Sequence, residues 1–422
     1  MNYIFILIYI SLWILVLLFY QRKRKYWGGG SIIIGSYLLY AICSFVLFNS
    51  EMNIGQYEDL SLGGFLYLFL MLLIATMPAL KFKEESVILQ PPSRTVINLF
   101  SVVFIISTLI RLPDIIMNMG EGLVLLMLDE DGGSELYHAT NDAEREAVGG
   151  GISNLFAIIY NLFLDGAILI AFYYMTLEKK NRILLLGFIL AIISSLLLPL
   201  SQGLRTGVLM KSFNLLIAFF LMKPFLSADL RKYIYIVGGI MMGFVVFLFM
   251  LLTMSRFGEH ESGTYGSMLS YMGQANLNFN MYVLDAGGTR NGDRTCNTFK
   301  NLLGYDNVPQ NVVDTRDRYS SLALDDSVFS TFVGDFVLDF GPWLTPLIFV
   351  FFSFLVCQKI KPRNKIVGFH QLILVYFAMI VCMQGGMYLF YYSFGENLTI
   401  IAFAMTYFLF KYDYNLNRKE MM

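Results

Sequence analysis

The chain reads as an all-α polytopic integral membrane protein with about eleven transmembrane helices and one large outer loop. Three observations carry that reading. Of 422 residues, 57% are hydrophobic and 14% are charged, with a mean hydropathy of +0.61; a soluble chain carries about 25% charged residues, so lipid is the solvent for most of this surface. Apolar runs recur at the length of about 20 residues that a helix needs to cross a bilayer. The basic residues also cluster in alternate loops, which sets orientation.

The runs lie at roughly 2–20, 30–48, 61–80, 95–112, 152–176, 183–200, 206–222, 233–253, 342–357, 367–384 and 396–411. The first has no basic stretch before it and no small-residue cleavage site after it, so it reads as a span and not a secretory signal. One set of loops holds 20 of the 30 basic residues, among them Arg22 to Lys25, Lys179, Lys180, Arg182 and Lys359 to Lys365. The opposite set holds few: Arg145 in 113–151 and Arg205 in the turn before the seventh run. The bias places the amino terminus outside, the carboxyl terminus in the cytoplasm and the long loop outside.

Three regions follow. Residues 1–253 carry eight spans, with an acidic outer loop at 113–151; 254–341 form the long outer loop; 342–422 carry three spans and a cytoplasmic tail. Within the long loop, Met268 to Leu284 is mildly amphipathic. Ser327 to Phe340 reads as an interfacial helix or as the early part of a longer, tilted ninth span.

Several function classes fall away. A net charge of −1 argues against nucleic acid as a partner. Cys43, Cys296, Cys357 and Cys382 stand apart, so neither a disulfide framework nor a metal cluster is expected. No phosphate-binding loop, zinc-protease motif or nucleophile elbow is present. The Gly28-Gly29-Gly30 run follows a basic loop with no strand before it, and reads as a flexible hinge in preference to a phosphate cradle. No cofactor and no metal are expected. An enzyme of this organisation draws its activated substrate from the membrane, and a lipid-linked donor fits best.

The candidate chemistry sits near the outer face. Arg205, in Ser201-Gln202-Gly203-Leu204-Arg205-Thr206-Gly207, offers a planar, permanently charged fork at a turn between two spans. The backbone N–H groups of the helix that follows point to the same spot. The bland alternative is an arginine reaching for headgroups. Arg256 opens the long loop, and Glu259 and His260 follow it as a candidate base or acceptor-hydroxyl ligand; a merely solvated pair is the more ordinary reading. Farther on, Arg290 and Arg294 alternate with acids and tyrosines, either as a sugar-binding surface or as a salt-bridged loop holding its own fold. Asp335 and Asp339 stand four apart on one helical face, to pair with Arg205 or Arg256, to orient them, or to act as a base. Asp165, Lys211, His370 and Glu396 are ionisable residues inside spans. Lys211 extends the positive lining below Arg205 or pairs with Asp165, and His370, near the cytoplasmic end, reads as a packed or interfacial histidine.

With one outer arginine turn, one dominant outer loop late in the chain, Arg205 to Leu209 as Arg-x-x-x-Leu, Ser255-Arg256, and Gly334 to Gly341, the chain resembles the O-antigen and capsule repeat-unit polymerases of the Wzy type. The resemblance implies the all-helical membrane glycosyltransferase architecture (GT-C-like) in a bacterial inner membrane. It implies transfer of a growing glycan from undecaprenyl diphosphate to a sugar hydroxyl of an incoming lipid-linked repeat unit. Its implied partners are that lipid-linked oligosaccharide, the bilayer, a flippase and a chain-length regulator protein. Arg205 matches the first of the family's outer-loop arginines, and the second falls to Arg256, Arg290 or Arg294. An O-antigen ligase and a transporter or flippase of lipid-linked glycans are the alternatives.

Overall fold

The computed structural model describes residues 1–51, 56–128, 152–202, 204–257, 263–309, 312–324, 328–389 and 394–420. The helices are α1 (Asn2–Arg24), α2 (Gly29–Phe48), α3 (Leu62–Lys81), α4 (Arg94–Leu128), α5 (Ile152–Thr176), α6 (Arg182–Ser201) and α7 (Arg205–Met222). They continue with α8 (Ala228–Phe257), α9 (Gly263–Asn278), α10 (Asn297–Leu302), α11 (Val312–Arg318), α12 (Thr331–Lys359), α13 (Phe369–Gln384) and α14 (Phe394–Glu420). One short pair of strands, β1 (Ile88–Gln90) and β2 (Ile366–Gly368), accompanies them.

In hydrocarbon every backbone N–H and C=O must be satisfied within its own segment, which is why apolar runs of this length become helices. Among the described residues eight helices, α1 to α7 and α12, are long and apolar enough to cross a membrane. That is fewer than the eleven runs of the sequence. Helices α8, α13 and α14 cover the other three, but α13 has only 16 residues and α14 turns polar from Lys411 onward. The chain is an all-α protein with several membrane-crossing helices.

The chain forms two compact units. The first comprises Met1–Ile88, Met268–Val367 and Gln371–Tyr407. Here α1, α2 and α3 pack on one another and α12 lies along α3. Buried Trp13 meets Tyr37 and Phe69 with ring centroids 5.0 and 4.9 Å apart, and Tyr9 meets Phe65 at 5.1 Å.

The Gly28–Gly30 run is no hinge. All three glycines are buried, and the Glu84 carboxylate fills the space beside them, accepting from the Gly29 N–H at 3.0 Å. A Cβ on Gly28 would lie 1.7 Å from the Glu84 Oε1 atom. The α2 amino terminus thus already holds an anion, one supplied by the chain itself and paired to Arg24 at 2.8 Å.

Residues Met268 to Leu284, mildly amphipathic in sequence, are largely buried in the fold. They form the end of α9 and a π-helical turn, Phe279–Val283, sunk among the amino-terminal helices. Three asparagines at alternate positions are buried and bonded. Tyr9 Oη donates to the Asn276 carbonyl at 3.3 Å, and the Asn276 amide donates to Ser44 Oγ at 3.0 Å. Tyr57 Oη donates to Asn278 at 3.1 Å. The Asn280 carboxamide makes a two-way pair with Ser61, accepting from its N–H and donating to its C=O, each at 2.8 Å. At Gly273 the α9 backbone comes so close to α2 that a Cβ would lie 2.7 Å from the Cys43 carbonyl oxygen.

From Thr331 on, the Ser327 to Phe340 segment is helical, and α12 joins this piece to a second helix across a kink. It is broken at Gly341, whose φ of 80° and ψ of 163° suit glycine alone. Pro342 follows, lacking the N–H that would continue the ladder. The piece Thr331–Phe340 carries Asp335 and Asp339; the piece from Pro342 onward is the apolar run.

The second unit comprises Leu89–Ser267, Gly368–His370 and Phe408–Met422, with α4 to α8 as its bundle. Side-chain contacts fix the helix directions. Phe104 stacks on Tyr160 with centroids 6.0 Å apart and Phe100 meets Phe163 at 6.0 Å, so α4 and α5 run antiparallel. Asp165 meets Lys211 and Asn214 while Phe172 meets Phe219 at 6.3 Å, so α5 and α7 run parallel.

Candidate functional site

In the second unit, Arg205 is the first residue of α7 and is buried, 7% exposed. Its Nη1 donates to Thr253 Oγ1 at 3.3 Å, and its guanidinium carbon stands 5.9 Å from the centre of the Phe249 ring. A headgroup-seeking arginine would be exposed along its length; this one is turned onto α8. The turn before it closes through Leu204 N–H to the Pro199 carbonyl at 2.9 Å. Pro199 also sits where a Cβ on Gly207 would be, 2.6 Å away, so α6 and α7 approach closely just past the arginine.

Deeper along α7, Lys211 Nζ lies 2.7 Å from Asp165 Oδ1, and the Asn214 amide donates to the same oxygen at 2.8 Å. Of the two roles open to Lys211, pairing with Asp165 is the one the geometry shows. Asp165 is 1% exposed, and a charge at that depth needs such a partner. Arg256 lies in the last turn of α8 and so continues a helix instead of opening a loop; its side chain, with Glu259 and His260, lies outside the described residues. His370 is buried with its ring 5.0 Å from Tyr414, a packed histidine as expected. Glu396 is half-buried.

The first unit gathers Arg290, Arg294, Asp335 and Asp339 into one buried cluster. Arg290 Nε is 2.9 Å from Asp339 Oδ1, Arg290 Nη2 is 3.8 Å from Asp335 Oδ1, and Arg294 Nε is 3.3 Å from that same oxygen. The remaining carboxylate oxygens accept backbone N–H groups, Thr295 to Asp339 Oδ2 at 2.6 Å and Leu389 to Asp335 Oδ2 at 2.7 Å. Arg290 also donates from its backbone to Leu338 at 2.8 Å. The i, i+4 spacing of the aspartates therefore makes a two-tooth clamp.

This corrects the reading of Arg290 and Arg294 as a sugar-binding surface. Arg290 has no solvent exposure and Arg294 has 6%, and their charge is answered by Asp335 and Asp339. Within the first unit these aspartates pair with Arg290 and Arg294. Next to them Asp293 binds Lys300, accepts from Arg318 Nη1 at 3.1 Å and accepts from Tyr319 Oη at 2.6 Å. Burial raises the Asp293 carboxyl, but Lys300, Tyr319 and Arg318 together hold it below the usual carboxylate range. The salt-bridged loop holding its own fold is what these residues build.

One residue of the second unit escapes the sequence reading. Ile97, Ser101, Phe104, Thr108 and Ile115 of α4 are all buried, at most 2% exposed. Their spacing of four and three residues defines a single inward stripe, and Arg111 falls on it. The signal was in the sequence, as an arginine at a core position of an apolar helix. It is easily passed over because the arginine lies only one position from the edge of the apolar run.

No protein-family model, no characterised protein and no solved structure matches this chain.

Proposed function

We propose that the chain is a glycosyltransferase of the bacterial inner membrane, spanning it about eleven times with the long loop outside. In this reading it polymerises oligosaccharide repeat units carried on undecaprenyl diphosphate into O-antigen, capsule or exopolysaccharide. The observation that carries the reading is Arg205: a guanidinium held at a helix start, buried among apolar helices and steadied by Thr253 and Phe249. Such a group suits an anionic leaving group presented from the membrane.

The chemistry asks little else. A sugar hydroxyl of the incoming repeat unit attacks the anomeric carbon of the growing chain. The bond from that carbon to the diphosphate oxygen breaks, and the diphosphate leaves with the electron pair. Arg205 and Arg256 stabilise the charge growing on it, while Glu259 or His260 accepts the hydroxyl proton. Lys211, neutralised by Asp165, sets the position of α7 beneath Arg205.

The test is the surface-glycan ladder of a strain lacking this gene, compared with its parent. Collapse to core plus a single repeat unit supports polymerisation. Repeats missing from the core, with polymer left on its lipid carrier, would make the chain a ligase. An unchanged ladder would sink both enzyme readings.

A further inference from the structure

Helices α4, α5 and α6 enclose a polar cavity at one end of the second unit. Helix α5 runs antiparallel to α4, and also to α6: Tyr160 meets Ser194 and Tyr174 meets Phe188. The starts of α4 and α6 therefore lie beside the end of α5. Between them is a cavity of about 170 Å³, the scale of a headgroup phosphate and not of a whole lipid. Arg94 and Asn98 of α4, Tyr173 and Tyr174 of α5, and Lys179 and Asn181 of the connection line it.

The wall is rich in donors. Two helix starts carry backbone N–H groups with no partner in their own helix, and the caps meet only part of that demand. Ser93 Oγ accepts from the Val96 N–H at 3.3 Å, and Asn181 Oδ1 accepts from the Ile183 N–H at 2.9 Å. Tyr173 is 4% exposed, yet its hydroxyl makes no hydrogen bond among the described residues. The Tyr174 hydroxyl accepts from the Asn181 N–H at 2.9 Å, which leaves its own proton to give. Arg94 and Lys179 make no ion pair among the described residues.

No Asp or Glu lines the cavity. The nearby acid is Asp413, which, like Arg94, acts on the Tyr173 hydroxyl through its charge. Asp413 is already engaged, accepting from the Ser93 N–H at 2.8 Å and from the Asn417 amide at 3.4 Å. Two cations against one carboxylate leave the region positive. Donors and positive charge around a small space are the complement of a phosphate. The surface alongside is apolar: Leu99 next to Asn98, and Ile183 and Leu186 after Asn181, are all exposed. In a bilayer that surface faces acyl chains, which a lipid phosphate brings with it and a free phosphate does not.

We propose that this cavity binds the phosphate of an anionic phospholipid, with its acyl chains against α4 and α6. By the loop charges this is the cytoplasmic leaflet. Arg94 and Lys179 supply the charge, and Tyr173 and the helix starts supply hydrogen bonds. The site is independent of the glycosyl-transfer reading, because Arg205 lies past the other end of α6.

The experiment follows Tm of the purified full-length chain in phosphatidylcholine nanodiscs as phosphatidylglycerol replaces part of the lipid. The wild-type chain is expected to gain Tm. Arg94→Gln with Lys179→Gln should lose most of that gain. Tyr173→Phe should keep its Tm in pure phosphatidylcholine, yet need on the order of tenfold more phosphatidylglycerol for half the gain. Lys361→Gln, which removes an exposed charge of the α12–α13 connection, is the control and should keep the gain.

An equal loss in Lys361→Gln would mean diffuse attraction of charge to the membrane and would overturn the proposal. A Tyr173→Phe chain that is less stable in phosphatidylcholine but keeps its gain would make the hydroxyl structural, which also overturns it. The same gain from inorganic phosphate added to phosphatidylcholine nanodiscs would make the ligand a free anion and not a lipid. No gain in the wild-type chain would leave the cavity without this ligand and end the proposal.

Discussion

Arg290 Nε and Asp339 Oδ1 lie 2.9 Å apart, and neither side chain reaches solvent. A pair this deep is held by geometry on both sides, because each charge loses its hydration on folding. Asp339 adds the Thr295 N–H, and Arg290 adds the Asp335 carbonyl at 3.1 Å and the Leu338 carbonyl through its own N–H. The pair therefore ties the segment around residues 290–295 to the first half of α12, just before the break at Gly341.

Cutting one partner of that pair strands the other. Arg290→Ala is expected to destabilise the first unit by about 3–5 kcal/mol, read as a fall in Tm in nanodiscs. The double change Arg290→Met with Asp339→Leu should recover much of the loss. A fully stable but inactive Arg290→Ala would instead return Arg290 to the substrate site.

The close approach of α9 to α2 leaves no room for a methyl group at position 273. Gly273→Ala pushes against the Cys43 carbonyl oxygen, a backbone atom that cannot swing aside. A destabilisation of about 1–3 kcal/mol is expected from such overpacking. Gly35→Ala, in open space on α2, is the control and should leave Tm unchanged.

The loop around Asp293 should weaken in acid. Its folded carboxyl titrates below the usual range, so its contribution is present above the unfolded value of about 3.9 and is lost as pH falls through the lower folded one. Tyr319 has the opposite sign. Burial and the bond to Asp293 push its hydroxyl up to about 12, so its contribution holds below about 10 and is lost as pH rises through the folded value. Hydrogen exchange over residues 285–320 should be slowest between those limits. Protection that does not change on acidification would remove Asp293 as an anchor, and Asp293→Asn should flatten the acid limb.

At Arg205 the fork matters as well as the charge. Arg205→Ala is expected to lower polymerisation on the order of 10²–10³-fold, and Arg205→Lys to restore little, since an ammonium cannot bind in two-pronged fashion. Ladder length from complemented deletion strains measures both. Full-length ladders from Arg205→Ala would take the residue out of the mechanism.

Asp165→Asn leaves Lys211 charged beside a neutral amide within the bundle. Lower Tm is expected, with recovery in the double variant Asp165→Asn with Lys211→Met. An unchanged Tm for the single variant would show that Lys211 finds water there.

Apolar length and the lopsided placement of Lys and Arg by themselves specified an all-helical membrane chain, because burying backbone in hydrocarbon leaves a long apolar run little choice but helix. Arg205 at a turn between apolar runs was legible for the same reason: a fixed charge stands out against Leu, Ile and Phe. Pairings were not legible. Nothing in the spacing of Arg290 and Asp339 says that they meet, and a polar stretch such as Asn276 to Asn280 looks solvated until its partners Ser44, Tyr57 and Ser61 arrive from residues more than two hundred positions away. Hydrogen bonds and ion pairs depend on distances of a few ångströms between remote segments, and only the packed chain sets those. The same holds for Gly28 to Gly30, whose lack of side chains reads as freedom in sequence but in the fold is room for the Glu84 carboxylate. Arg111 lies between the cases: its inward face is written in the helical period, and what stands beside it is decided by the directions in which α4, α5 and α7 pack.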